Sequence, residues 1–221
     1  MYFENRAHAG QLLAQLLHEK YAGQECVAVG LSDGGVIVAE QVAEWLDCLY
    51  TMILVEEIDI PGESLSFGGI SQQGDFTVNS TLSGGEAEAY MSEFHGYLDE
   101  QKREKFQKLN RSVGKGEIIS KGMLRNKVVV LVADGINTGA NLDAAISFLK
   151  PIQVQKIVIA TPVASIPAVD KMHIAADDLC VLDVKENYIN TDHYYDDNTL
   201  PSHEETIVKI QEKIKNSQNG T

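Results

Sequence analysis

Val128-Val129-Val130-Leu131-Val132-Ala133-Asp134-Gly135-Ile136-Asn137-Thr138-Gly139-Ala140-Asn141 is the stretch on which the fold turns. Lys127 is followed by an unbroken run of branched apolar residues, the pattern of a buried strand. A polar loop opens at Asp134, and a helix is expected from about Leu142 to Leu149. The first N–H groups of such a helix lack intrahelical partners, and the helix dipole favours an anion beside them. Gly139 lets the backbone come close to a ligand, while Thr138 and Asn141 offer side-chain donors. Asp134 repels a phosphate but can accept hydrogen bonds from sugar hydroxyls, so the loop suits a phosphorylated ribose. An ordinary strand-to-helix turn, with Asp134 merely supporting the loop, fits the same spacing.

Outward from this loop the chain alternates strands and helices. Ala7 to Tyr21 places Leu12, Leu13, Leu16 and Leu17 on one helical face. Glu25 to Leu31 reads as a strand, Ser32-Asp33-Gly34-Gly35 as a loop, Val36 to Leu46 as a helix and Cys48 to Glu56 as a strand. That order suggests a parallel βαβ unit in an α/β protein. Trp45 falls on the apolar face of its helix and is expected in the core. Asp59 to Gly85 is rich in Gly, Ser, Asn and Gln and reads as a flap with short strands. Glu86 to Arg111 is helical in composition, with a charged solvated face. Ile152 to Thr161 should form a strand closed by Pro162-Val163-Ala164, and Cys180 to Val184 the last one. Helix resumes from Ser202, and residues from about 215 to 221 are expected to be disordered.

The composition narrows the classes. With 221 residues and 44% hydrophobic content, one domain is the simplest organisation. A formal net charge of -14 disfavours nucleic acid and anionic lipid as partners. Cys26, Cys48 and Cys180 form no CxxC pair, which disfavours zinc and disulfides and suits reduced thiols in the cytoplasm. No secretory signal and no membrane-length apolar run is visible. His8, His18, His95, His173, His193 and His203 are scattered without a zinc motif, and neither a Walker A loop, an early G-x-G-x-x-G nor a G-x-S-x-G elbow occurs. Asp192-His193-Tyr194-Tyr195-Asp196-Asp197 reads as a polar loop with its tyrosines packed beneath, or as a segment that binds a cation or covers the site.

The loop from Val130 to Asn141 resembles the PRPP-binding motif of type I phosphoribosyltransferases in order and spacing. Phe3-Glu4-Asn5-Arg6 with Ala9-Gly10, and Val29-Gly30-Leu31-Ser32-Asp33-Gly34-Gly35-Val36, look like the start, first strand and pyrophosphate loop of a bacterial subgroup of that family. Pro61-Gly62 and Phe67-Gly68-Gly69-Ile70 sit where its flap begins. The resemblance implies a parallel sheet flanked by helices, with a small hood over roughly residues 59–122. It implies a glycosyltransferase of nucleotide metabolism, in which a nitrogenous base attacks ribose C1 of PRPP and Mg²⁺-bound pyrophosphate leaves. Carried over, Asn137, Thr138, Gly139, Ala140 and Asn141 bind the 5′-phosphate, Asp134 and Gly135 meet the ribose, and Ser32, Asp33, Gly34 and Gly35 face the pyrophosphate. Asp134 is then the candidate catalytic residue and a candidate Mg²⁺ ligand. A homodimer is common in the family.

Several positions depart from the pattern. Ala133 replaces the first acidic residue of the motif, Asp33 stands where the subgroup is basic, and Glu56-Glu57 where it has a basic pair. Two unit charges about 5 Å apart interact by roughly 3 kcal/mol at an effective dielectric of about 20, so a reversal on the pyrophosphate side would weaken pyrophosphate strongly unless Mg²⁺ intervenes, or unless these carboxylates face solvent or make local salt bridges. Asn137 stands where purine-salvage members of the family often carry an Asp near the base, and because an amide cannot act as a general base, the resemblance disfavours hypoxanthine and guanine. Two functions follow: a PRPP-dependent phosphoribosyltransferase, or a catalytically inactive relative that senses a nucleotide or ribose phosphate.

Overall fold

A computed structural model describes residues 2–63, 65–113 and 118–219. Helix α1 (Arg6–Tyr21), strand β1 (Cys26–Gly30), helix α2 (Asp33–Leu46) and strand β2 (Leu49–Met52) open the chain. Strands β3 (Val55–Asp59), β4 (Ser66–Ser71) and β5 (Phe76–Val78) follow, then helices α3 (Gly84–Glu93), α4 (His95–Val113) and the short α5 (Lys121–Leu124). The rest is β6 (Val128–Val132), α6 (Ala140–Leu149), β7 (Lys156–Ser165), α7 (Ile166–Ala175), β8 (Asp178–Lys185), a 3₁₀ turn (Thr191–Tyr194) and α8 (His203–Asn219). No helix among the described residues is long and apolar enough to cross a membrane.

The chain divides into two compact units: residues 1–52, 116–139 and 152–221 in the first, and 53–115 with 140–151 in the second. The first holds a five-stranded sheet of order β2-β1-β6-β7-β8, parallel throughout. The apolar run Val128 to Val132 is its middle strand, and every residue in it is 0% exposed. A strand paired on both edges and covered on both faces tolerates only apolar side chains, and each one buried contributes roughly 1.5–3 kcal/mol of transfer free energy. Helices α1, α2, α7 and α8 pack against this sheet or against one another. Asn5 caps α1 by accepting from the His8 N–H at 2.9 Å, and Ser32 caps α2 by accepting from the Gly35 N–H at 2.9 Å.

The second unit carries an antiparallel sheet of order β3-β4-β5 over a core of Ile58, Ile60, Phe67 and Leu98. A capping box between Ser83 and Glu86 starts α3. This unit begins at Ile53 and also takes in α6. Ser64 and residues 114–117 of the expected flap lie outside the described residues, as do Gly220 and Thr221 of the expected tail.

Four expectations need correction. The strand expected from Cys48 to Glu56 is two strands in different sheets, broken at Ile53-Leu54, because Val55 onward pairs antiparallel with β4. Strand β7 does not stop at Pro162. It runs to Ser165, and its register with β8 passes over Pro162, which has no N–H to donate. Trp45 is 43% exposed rather than core: it flanks the buried stripe Val38, Val42 and Leu46, and its ring meets the edge of His18 at 5.9 Å between centroids. The helix from Ser202 keeps its hydrogen bonding as far as Asn219, past the point where order was expected to end.

Candidate functional site

The loop after β6 is held by its neighbours in the first unit. The Ile136 N–H donates to the Val163 carbonyl at 3.0 Å, and the Ser165 N–H donates to the Ile136 carbonyl at 2.9 Å. The Ser165 hydroxyl donates to the Asn137 carbonyl at 2.5 Å and accepts from the Ala168 N–H, so one side chain joins the loop to the start of α7. Sequence reading missed Ser165, although its position just before Ile166-Pro167 is a helix-start signal. Asn137 and Thr138 are exposed, and Gly139 has φ +68°, a left-handed turn that suits glycine. Among the described residues, the N–H groups of Asn137, Thr138 and Gly139 donate to no protein acceptor. Ala140 and Asn141 begin α6 and belong to the second unit. The Asn141 side-chain oxygen is buried without a hydrogen-bond partner there.

Asp134 sits just past the end of β6 with 8% exposure, and each of its carboxylate oxygens has one partner. Its Oδ2 accepts from Arg6 Nε at 2.7 Å, and its Oδ1 accepts from the Ser32 hydroxyl at 2.8 Å. Its carbonyl accepts from the Tyr195 hydroxyl at 2.5 Å. Burial, helped by the Asp134 charge, pushes the Tyr195 phenol well above its ordinary value, so it stays a neutral donor. Arg6 is 3% exposed, and its guanidinium also donates to Asn198 Oδ1 at 3.0 Å and to Asp192 Oδ1 at 2.5 Å. Burial alone would lower its pKa, but the hydrogen bond and charge of Asp134 outweigh that and hold it above the ordinary value. Asp192 and Tyr195 of the 192–197 segment therefore pack around Arg6, with the Tyr195 ring centroid 4.6 Å from its Cζ. Gly135 lies under Tyr188 and Thr191: a Cβ there would fall 2.4 Å from the Tyr188 oxygen.

Ser32, Asp33, Gly34 and Gly35 form the cap and first turn of α2, where a loop was expected up to Val36. Gly34 and Gly35 are buried, and a Cβ on Gly34 would lie 2.1 Å from Asp134 Oδ2. Close packing of the protein on itself thus explains these glycines without a ligand. Asp33 meets His203 at 2.8 Å from the start of α8.

In the second unit Glu56 pairs with Lys108 at 2.7 Å and Lys105 at 3.4 Å. Burial would raise the Glu56 carboxyl, but the hydrogen bonds and charges of Lys108 and Lys105 outweigh it and hold it below the ordinary carboxylate range. A carboxyl whose pKa is depressed by folding stabilises above its unfolded value of about 4.3, and that contribution disappears as pH falls through the folded value. Between about pH 6 and pH 3, the native protein should therefore lose up to ~0.5 kcal/mol more stability than Glu56→Gln, a small effect because the pair is partly solvated. Urea melts at the two pH values measure the difference, and equal losses would mean the pairs are energetically idle.

The donor set does not suit a resident Mg²⁺. The Ala133 side chain offers no oxygen, and the Asp134 carboxylate is already neutralised by a guanidinium that would repel a second cation. Among the described residues, no group of three or more His, Cys, Asp and Glu is placed to hold a metal ion.

No family model matches the sequence. Two curated Mycobacterium tuberculosis proteins, from strains CDC 1551 and H37Rv, each carry the provisional name phosphoribosyl transferase and are 28% identical over 214 residues, 93% of this chain. In sequence the chain is thus similar to proteins named as phosphoribosyl transferases. It spans about half the length of these two phosphoribosyl transferases, 46% of each. A crystal structure from Thermus thermophilus shares the fold with a TM-score of 0.77 and 27% identity, covering 96% of this chain and 99% of that one. A purine phosphoribosyltransferase from Pyrococcus horikoshii is also similar, with 17% identity, a TM-score of 0.46 and coverage of 82% of this chain and 84% of that one.

Proposed function

We propose that this chain acts as a phosphoribosyltransferase, binding the 5′-phosphate of PRPP or a nucleotide at the turn Asn137-Thr138-Gly139 and transferring the phosphoribosyl group to a nitrogenous base. The observation that carries this reading is the exposed turn at Asn137 and Thr138, whose N–H groups have no protein acceptor among the described residues. Amides left unpaired just before a helix are the feature that a phosphate dianion satisfies. Asp134 would accept a hydrogen bond from a ribose hydroxyl through lone pairs that Arg6 and Ser32 leave unused. In the transfer a base nitrogen bonds to ribose C1 while the C1–O bond to pyrophosphate breaks. Asp33 and the buried glycines offer little to the departing pyrophosphate, so any Mg²⁺ would travel with the diphosphate ligand rather than reside on the chain.

Thr138→Glu tests the loop. A carboxylate about 5 Å from the bound phosphate should weaken ribose 5-phosphate by roughly 100-fold at an effective dielectric near 20. Because Thr138 is exposed, the thermal melt should not move. Calorimetry that finds equal affinity in both proteins removes the loop from the site. Release of pyrophosphate from PRPP with Mg²⁺ and a panel of bases tests the transfer step. Monophosphate binding without any turnover would refute that step and leave a sensor.

A further inference from the structure

We infer that Arg6 is a positioning residue for sugar recognition, holding the Asp134 carboxylate in one orientation from beneath. This rests on the proposed ribose contact of Asp134 and adds a residue to it. Arg6 and Ser32 come from different helices and each takes a different oxygen of the same carboxylate, at 2.7 and 2.8 Å. A carboxylate gripped at both oxygens cannot rotate about its terminal torsion, which is otherwise soft. The Asp134 side chain still keeps 12% of its surface open, so a carboxylate held in one orientation remains within reach of a ligand.

The rest of the guanidinium is spent on the Asp192–Asn198 segment. One terminal nitrogen reaches Asn198 and the other reaches Asp192, whose own side chain is 66% exposed. The Tyr195 ring lies against the guanidinium face, and its hydroxyl holds the Asp134 carbonyl. Five donors in a rigid plane can serve three acceptors at once, which a lysine ammonium on a flexible stem cannot do with the same geometry. A buried ion pair typically adds little stability beyond an apolar pair of similar volume. What the charged pair supplies here is direction, delivered to the one acid in the motif that a ribose could meet.

Arg6→Lys separates positioning from mere support. In the native protein, ribose 5-phosphate and methyl phosphate share the phosphate contact, but only the first has sugar hydroxyls. Arg6→Lys should weaken ribose 5-phosphate by about 10-fold, the scale of one hydrogen bond to a charged group. Methyl phosphate should change by less than about 2-fold. Asp192→Asn alters only the exposed end of the network. It should shift the same ratio in the same direction by a smaller factor, and it carries the test should Arg6→Lys fail to fold. An unchanged ratio in a folded variant, or equal loss of both ligands, overturns the inference while leaving the phosphate loop standing. A native protein that binds neither ligand at millimolar concentration overturns the proposed site and this inference with it.

Discussion

Asp134→Ala is expected to destabilise the first unit by about 3 kcal/mol, more than any surface carboxylate in the chain. The reason lies in what the substitution leaves behind. Arg6 is 3% exposed and would keep Asp192 and Asn198 but lose its one buried counter-charge. An unpaired buried charge usually costs about 3–5 kcal/mol, and the surviving Asp192 contact brings the figure toward the lower end. The Ser32 hydroxyl, which caps α2, would lose its acceptor as well. Trp45 is the chain's single tryptophan and lies in the first unit, so its fluorescence during urea unfolding reports this change directly. Arg6→Met combined with Asp134→Leu should recover much of the loss, because a well-packed apolar pair can replace a buried ion pair. If Asp134→Ala unfolds within about 0.5 kcal/mol of the native protein, the Arg6–Asp134 contact is not an energetic unit.

Gly34→Ala should be nearly as damaging, by about 2–4 kcal/mol, although it adds a single methyl group. Its Cβ would fall 2.1 Å from Asp134 Oδ2 and 2.6 Å from Arg6 Nε, so either the first turn of α2 lifts or the buried pair is forced apart. Gly84→Ala is the matched control. It stands at the start of α3, where a Cβ meets nothing within 4 Å, and it should gain a few tenths of a kcal/mol from reduced unfolded-state freedom. Chemical denaturation of the two variants against the native protein decides the matter. A Gly34→Ala protein as stable as native would show that the helix can back away from the pair at no cost.

Much of this architecture was open to a reader of the chain. The run Val128 to Val132 could only be a strand buried on both faces, and the polar loop after it could only turn into a helix. The order of strands and helices around it called for a parallel sheet. Local pattern serves well there because solvent exclusion acts residue by residue along a continuous segment. It served less well where the outcome depended on a partner. Val55 could have extended β2, yet it pairs with β4, and Pro162 could have ended β7, yet only one ladder position is passed over.

What the sequence determined by itself is the fold class, the polar turn between a buried strand and a helix, and the family likeness of the motif. What only tertiary structure decided is the company of Asp134. Arg6, Ser32, Asp192 and Tyr195 lie far from it along the chain, and no periodicity links them. An aspartate at a strand end reads the same on paper whether it faces a ligand or a guanidinium. The difference arises because a charge in a poorly solvated site must find its counter-charge in space, and the chain can bring that partner from any distance.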